Sequence, residues 1–209
     1  MSELVFYTHP QSRGRIVHWM LEELGEPYQT VWLEYGSTMK APEYLAVNPM
    51  GKVPALREGD IVVTESAAIC AYLADRFPQR RLAPPPGDPA RAAYYRWMFF
   101  TAGPLEMATT ARALGWQVPE GRSGMVGFGS HGAAIDALET ALQPGPHVCG
   151  EHFTAADVVL GSALGWGLMF GTIDKRPAFQ AYVGRLQQRE AAQRANHLNE
   201  ARLQAGAAR

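Results

Sequence analysis

Cysteine is scarce in this sequence, and long apolar runs are absent. The chain has two cysteines, Cys70 and Cys149, in 209 residues. They are too few for a disulfide scaffold and have no metal-ligand spacing. The longest apolar stretch, residues 158–170, is shorter than the roughly 20 residues that a membrane-spanning helix needs. We therefore expect no disulfide framework, no metal centre and no membrane span, and we expect a reducing, cytoplasmic location.

An excess of either charge is also missing. The 19 Lys and Arg residues face 20 Asp and Glu residues, which gives a formal net charge of −1. A nucleic-acid-binding protein or a protein of anionic membrane surfaces would show a basic face. The first residues lack the basic and apolar segments of a signal peptide. With 47% hydrophobic and 19% charged residues, the composition is that of a folded globular protein with neither nucleic acid nor membrane as partner.

The first 80 residues alternate between strand and helix patterns. Apolar runs at residues 4–7 and 28–33 predict two strands. Between them, residues 12–25 repeat apolar side chains at helical spacing, with Ser12 as candidate N-cap and Gly25 as the stop signal. Because two strands joined by a helix form a parallel pair, this unit predicts a parallel start to a sheet.

A hairpin and a further helix complete this half of the chain. The turn at residues 58–60 predicts two antiparallel strands, and Glu65 and Ser66 then open an alanine-rich helix. A short helix is predicted at residues 42–47. Together these elements predict an α/β domain with a mixed four-stranded sheet and helices on both faces.

The rest of the chain predicts helices only. Residues 80–89 contain three consecutive prolines flanked by glycine and proline, a composition typical of a semi-rigid linker. Helical patterns follow at residues 90–114, 130–142, 154–170 and 177–188. We therefore predict an N-terminal domain at residues 1–79, a linker at 80–89 and an all-helical domain at 90–209.

Three short motifs in the first half can carry chemistry. Pro54 stands just before the predicted hairpin, where the pattern alone favours a trans proline at a strand edge. A cis bond would instead leave Val53 with backbone groups that can pair with a peptide-like ligand. Glu65 and Ser66 open a helix whose N–H groups suit a carboxylate, although this feature alone favours simple N-capping. Ser12, at the first strand–helix junction, can donate to a thiolate or cap the helix.

In order and spacing, these motifs resemble the glutathione transferase family, as a bacterial-type cytosolic member with serine at the activating position. Cytosolic members join a thioredoxin-like N-domain to an all-helical C-domain. The resemblance extends from about residue 4 to about residue 190. Its matching stretches are FYTHPQSR at 6–13, WMLEELG at 19–25, NPMGKVPAL at 48–56, ESAAICAYL at 65–73 and the capping-box sequence TAAD at 154–157.

The resemblance implies a glutathione site in the first domain. Val53 would pair its backbone with the cysteinyl part of glutathione, and the bond before Pro54 would be cis. Glu65 and Ser66 would hold the γ-glutamyl group. Glutathione would thus be a co-substrate, and no metal would take part.

The same resemblance assigns the glycine carboxylate and the thiol of glutathione. Lys52, and with it Lys40, would lie near the carboxylate. Ser12 would donate a hydrogen bond to the thiolate and would not itself be a nucleophile. Gln11, Arg13 or a backbone N–H are alternatives for this activation. Because the strand–helix junction has no cysteine, disulfide exchange through a protein thiol is not expected.

A second substrate would need an apolar surface near the thiol. His9 lies near the proposed site in the sequence, and Phe99, Met107 and Trp166 lie on predicted helices of the second domain. These four residues are our candidates for the pocket, although helical aromatic residues are also common in the core.

We therefore expect a homodimeric glutathione transferase that conjugates glutathione to small apolar electrophiles in detoxification. Two alternatives stay open. One is a glutathione-dependent peroxidase or disulfide reductase that uses two glutathione molecules. The other is a non-catalytic binding module that keeps the fold.

Overall fold

The computed structural model describes residues 3–207, which divide into two compact units. The first unit contains the residues up to Arg80 together with those from Gln188 onward, and the second is Arg81–Gln187. The boundary falls at the start of the proline-rich stretch. The predicted helical domain continues to residue 209, whereas the second unit of the structure ends at Gln187 and the residues after it belong to the first unit.

The first unit is built on the predicted mixed four-stranded sheet, which is confirmed. Its strand order is β2-β1-β3-β4, with β1 parallel to β2 and the other two pairings antiparallel. The strands are β1 (Leu4–Thr8), β2 (Tyr28–Trp32), β3 (Ala55–Glu58) and β4 (Ile61–Thr64).

Nine α-helices are found within residues 3–207. They are α1 (Gly14–Leu24), α2 (Pro42–Leu45), α3 (Ser66–Arg76), α4 (Ala90–Phe100), α5 (Glu106–Leu114), α6 (His131–Ala141), α7 (Ala155–Phe170), α8 (Pro177–Gln187) and α9 (Glu190–Ala207). The described part of the chain contains no helix both long and apolar enough to cross a membrane.

Helices cover both faces of the sheet. Successive side chains of a strand point to opposite faces. On β1, the Phe6 ring lies 5.4 Å from His18 of α1, and the Tyr7 ring lies 5.5 Å from Tyr44 of α2. Helices α1 and α2 therefore pack on opposite sides, as the sequence pattern predicted.

Helix α1 begins two residues later than predicted. It starts at Gly14, and Arg13 occupies the N-cap position without a side-chain capping bond. The prediction of Ser12 as N-cap is therefore wrong. The Ser12 hydroxyl instead accepts a hydrogen bond from the Gly14 N–H at 3.0 Å, inside the turn that precedes the helix.

Helix α9 was not predicted and belongs to the first unit, where it packs along α1. Its buried residues include the small Ala191, Ala192 and Ala195. Buried Asn199 donates to Nδ1 of His18 at 3.0 Å. Most of the other α9 residues are polar, so the sequence offers no apolar stripe to indicate burial, only alanine-rich helix propensity.

In the second unit, the helix predicted at residues 90–114 is interrupted by a π-helical turn. Thr101–Leu105 joins α4 to α5 and contains Pro104. Proline has no N–H to donate to the helix ladder, and wider turns are one way in which a helix accommodates the lost bond. The predicted helices at 130–142, 154–170 and 177–188 are confirmed as α6, α7 and α8 within two residues.

Asp157 is the polar centre of the second unit. It is fully buried at the start of α7, where the predicted capping box with Thr154 is confirmed. The carboxylate accepts hydrogen bonds from the N–H of Thr154 at 2.8 Å, the N–H of Val148 at 2.9 Å and the hydroxyl of Tyr182 at 2.8 Å. One side chain thus joins α7, α8 and the loop before α7.

We expect Asp157→Ala to lower the free energy of unfolding by about 3 kcal/mol or more, because each buried donor left unsatisfied costs about 1–3 kcal/mol. The matched control is Asp136→Ala, which removes an exposed partner of Arg176 and should cost at most about 1 kcal/mol. Urea denaturation of both variants measures the difference. Equal losses would contradict the central role of Asp157.

Candidate active site

The three motifs identified in the sequence meet at one edge of the sheet. Tyr7 of β1 pairs with Ala55 of β3, and Ala55 pairs with Thr64 of β4. The carboxyl end of β1, the start of β3 and the carboxyl end of β4 therefore lie side by side. The segments that adjoin these positions are residues 9–13, 53–54 and 65–66.

The Val53–Pro54 peptide bond is cis. The trans bond favoured by the pattern alone is therefore wrong, whereas the conformation implied by the family resemblance is confirmed. Pro54 is buried and Val53 is half-buried. Because β3 begins only at Ala55, the N–H and C=O groups of Val53 lie beyond the sheet ladder, where an extended ligand can pair with a backbone.

Glu65 adopts a left-handed backbone conformation with φ 66° at the start of α3. A non-glycine residue in this region costs of order 1–3 kcal/mol, and such residues cluster at functional sites. Its exposed side chain makes no capping bond to the helix. Simple N-capping by Glu65 therefore does not explain its position.

Lys40 and Lys52 differ in what they can offer to a ligand. The Lys40 ammonium donates to the carbonyl oxygens of Met50 at 2.9 Å and Gly51 at 3.0 Å, so it ties down the loop before Val53. The Lys52 side chain is exposed. Its backbone carbonyl accepts from the Tyr44 hydroxyl at 2.6 Å, which anchors the same loop.

Ser12 lies in the turn between β1 and α1. Its hydroxyl donates to the carbonyl oxygen of His9 at 2.7 Å and accepts from the N–H of Gly14. The hydroxyl proton is thus engaged within the turn. The neighbouring side chains of Gln11 and Arg13 are exposed.

His9 is nearly buried, with 8% of its surface exposed. Its Nδ1 accepts the N–H of Gln11 at 3.1 Å, and its Nε2 lies 3.5 Å from a carboxylate oxygen of Glu34. The ring packs against Tyr35, with centroids 4.5 Å apart. Burial is the largest influence on the imidazole and lowers the pKa of His9 below its usual 6.5, against the opposing effect of Glu34.

Glu34 and Tyr35 were not among the sequence-predicted site residues. The parallel pairing of β1 with β2 could have indicated them, because it places the residues after both strands next to each other. Thr8 pairs with Trp32, and the Leu33 N–H donates to the Thr8 carbonyl at 2.9 Å.

The candidates for the second-substrate pocket in the helical unit lie on three helices. Phe99 of α4 is 74% exposed and Met107 of α5 is 48% exposed. Trp166 of α7 is half-buried. Their role stays a prediction.

Neither cysteine is placed to act as a nucleophile. Cys70 is fully buried in α3, and burial raises the pKa of its thiol far above the usual range. Burial likewise raises the pKa of Cys149 to about 11. Within residues 3–207, no three side chains cluster as potential metal ligands.

The mixed sheet and the cis proline before β3 define a thioredoxin-like unit, here followed by a helical unit. Residues 12–76 match the N-terminal domain of glutathione S-transferase, and residues 132–185 match its C-terminal domain. The chain is 31% identical to the glutathione S-transferase GstA of Escherichia coli O157:H7 over 71% of its own length and 75% of GstA. The chain therefore belongs to the glutathione transferase family.

Solved structures of glutathione transferases share the fold over nearly the whole chain. A glutathione transferase from Methylococcus capsulatus is 30% identical, with a TM-score of 0.78 over 94% of this chain and 98% of that one. A sphingomonad enzyme solved with glutathione is 28% identical, with a TM-score of 0.77 and the same coverage. A glutathione S-transferase of Zea mays is 28% identical over 75% of both chains, whereas some other relatives match over shorter stretches, down to 26% of the relative's length.

The low reactivity expected of the two thiols can be tested by alkylation. With iodoacetamide at pH 7.5, we expect both thiols of the native protein to react far more slowly than in urea, because burial raises both pKa values. The rate at half-buried Cys149 should rise as the pH approaches about 11, while Cys70 stays protected. Mass spectrometry of the peptides measures both rates. Rapid alkylation of Cys149 at pH 7.5 would contradict this assignment.

Proposed function

We propose that the protein is a glutathione transferase that conjugates the glutathione thiolate to small apolar electrophiles. The observation that carries the proposal is the meeting of residues 9–13, 53–54 and 65–66 at one edge of the sheet, in a family whose solved members include a glutathione complex. Detoxification in the cytoplasm is the biological setting that we infer from the family.

The binding half of the proposed site uses backbone and charge. Val53 pairs with the cysteinyl peptide of glutathione, as an added strand does. The N–H groups at the start of α3, with the Ser66 hydroxyl, receive the γ-glutamyl carboxylate. Glu65 accepts from the α-ammonium group. Of the two lysines, exposed Lys52 is the better partner for the glycine carboxylate, because the ammonium group of Lys40 already binds two carbonyl oxygens.

The activating half uses Ser12, at the N-terminal end of α1. To donate to the thiolate, the hydroxyl must leave the His9 carbonyl. It exchanges a neutral hydrogen bond of about 0.5–1.5 kcal/mol for a charge-assisted one of about 1.5–3 kcal/mol. The net gain of about 1–1.5 kcal/mol corresponds to roughly one pKa unit.

Our candidates for binding the electrophile are apolar side chains of the helical unit. Phe99 and Met107 are exposed large apolar residues on consecutive helices, and half-buried Trp166 is the third candidate. His9 contributes little surface, since it is nearly buried. We also propose a homodimer, supported by the exposed apolar Ile61 and Val62 on the edge strand β4.

Two parallel assays with the purified protein test the proposed activity. One follows conjugation of glutathione to 1-chloro-2,4-dinitrobenzene by absorbance. The other follows the glutathione disulfide that forms when two glutathione molecules reduce a hydroperoxide to an alcohol and water, or when glutathione reduces a mixed disulfide. NADPH oxidation by added glutathione reductase reports this disulfide. We expect conjugation to exceed the uncatalysed rate and to saturate with glutathione. Disulfide formation alone would favour the redox alternative, and no turnover in either assay would favour a binding module.

We expect Glu65→Gln and Ser66→Ala to weaken glutathione binding by about 1–3 kcal/mol, because each removes a partner of a charged group. This corresponds to an increase in Kd of roughly 5- to 150-fold. Titration calorimetry measures the affinity, and Glu43→Gln, at an exposed glutamate of α2, is the control. Unchanged affinity in both site variants would exclude this head-group site.

Ser12→Ala should leave the glutathione affinity at pH 7 within about twofold. The acid limb of the pH profile of kcat/KM for the electrophile, measured at saturating glutathione, should move to higher pH by roughly one unit. The thiolate loses a donor, so its pKa rises. The loss of kcat/KM is then about tenfold at acidic pH and disappears at alkaline pH. Ser37→Ala, at an exposed serine, is the control. If the acid limb does not move, a group near Ser12 must activate the thiol instead.

A further inference from the structure

His9 holds the turn of Ser12 at two points. Its side-chain Nδ1 accepts the N–H of Gln11 at 3.1 Å, and its backbone carbonyl accepts the hydroxyl of Ser12 at 2.7 Å. One residue therefore binds the backbone before Ser12 through its ring and the Ser12 hydroxyl through its carbonyl. Only the ring contact can persist when the hydroxyl turns to a thiolate.

The surroundings of the ring select one tautomer. Because Nδ1 accepts a hydrogen bond, the proton of the neutral ring lies on Nε2, which faces Glu34 at 3.5 Å. Glu34 in turn accepts from Arg202 of α9 at 3.2 Å. Arg202 thus holds the carboxylate that favours the proton on Nε2.

A third contact fixes the same turn from the loop after β2. The Tyr35 hydroxyl donates to the carbonyl of Gln11 at 3.1 Å, while the Tyr35 ring packs on His9. Both the N–H and the C=O of Gln11 are therefore bound, one by His9 and one by Tyr35. The residue before Ser12 has a fixed place.

This arrangement requires an uncharged ring. A protonated His9 would direct an N–H from Nδ1 at the N–H of Gln11, and two donors cannot bond. The groups that face the ring are Glu34, Tyr35 and Arg202. Burial of His9 lowers its pKa, so the ring stays neutral at pH 7 and the bond to Gln11 is kept.

We propose that His9 is a positioning residue for thiol activation: its neutral imidazole holds the Gln11–Ser12 turn so that the Ser12 hydroxyl reaches the glutathione thiolate. This inference rests on the proposed function. It also gives His9 a role different from that of lining the electrophile pocket. The surface that His9 exposes is small, and both its ring nitrogens face protein partners.

Two substitutions separate the hydrogen bond from the bulk of the ring. His9→Asn keeps an acceptor, because an asparagine side chain can accept the N–H two residues ahead, as in an Asx turn. His9→Phe keeps a ring and removes the acceptor. His197→Phe, at an exposed histidine of α9, controls for the loss of a histidine. The readouts are the pKa of the bound glutathione thiol, from thiolate ultraviolet absorbance, and the Kd of glutathione.

We expect His9→Phe to abolish at least half of the wild-type lowering of the thiol pKa, while Kd changes by less than about threefold. His9→Asn should retain most of the lowering of the thiol pKa, and His197→Phe should retain all of it. The inference is overturned if the His9→Phe protein lowers the pKa of the bound thiol as much as the wild type does. It is also overturned if His9→Asn loses this lowering to the same extent as His9→Phe. If the wild-type protein binds glutathione with an unshifted thiol, the proposed function fails, and the inference fails with it.

A second measurement uses the unmutated protein, in case His9→Phe does not fold. In nuclear magnetic resonance spectra recorded against pH, the Gln11 amide proton should shift with the same midpoint as the His9 imidazole, below pH 6.5. A Gln11 amide that does not respond to the titration of His9 would overturn the inference.

Discussion

No side chain fits between the start of α1 and the end of β1. A Cβ atom on Gly14 would overlap Oγ1 of Thr8, so the start of α1 lies directly against the end of β1. Residues 9–13 form the short turn that connects them. In so short a turn the polar groups bind each other: the hydroxyl of Ser12 reaches the carbonyl of His9, and the imidazole of His9 reaches the N–H of Gln11. The pairing of β1 with β3 then sets this turn beside Val53 and Pro54. The proposed site is a consequence of that close packing.

The two halves of the site rest on different physics. The proposed binding of glutathione would draw on groups fixed by the sheet and by the start of α3, which do not change when the thiol ionises. The proposed activation would draw on a hydroxyl that must exchange one acceptor for another, so its net contribution would be about 1–1.5 kcal/mol and not the full strength of a charge-assisted bond. The N-terminal end of α1 adds about 0.3–1 kcal/mol. A moderately activated thiol is the expected outcome. Because the free energy that stabilises the thiolate is small, the fixed geometry of the turn at residues 9–13 becomes important.

The sequence predicted the elements whose signals are local. The strand runs, the turn at residues 58–60 and the capping box of Thr154 and Asp157 each depend on neighbouring residues and are found as expected. Helix α9 was missed because its buried face is alanine and asparagine, not an apolar stripe. The hydrogen bonds of Ser12 were missed because Arg13, and not Ser12, occupies the N-cap position, so the Ser12 hydroxyl binds groups of the turn before the helix. Glu34 and Arg202 come from distant parts of the chain and meet His9 only through strand pairing and the packing of α9 on α1.

Proton release on glutathione binding tests the central claim most directly. Titration calorimetry at pH 8, in two buffers with different ionisation enthalpies, counts the protons that leave when the complex forms. If the bound thiol titrates about one unit below the usual value of about 8.5, roughly half a proton is released for each glutathione bound. Tight binding with no proton release would show that the protein holds glutathione without activating it, and would contradict the account.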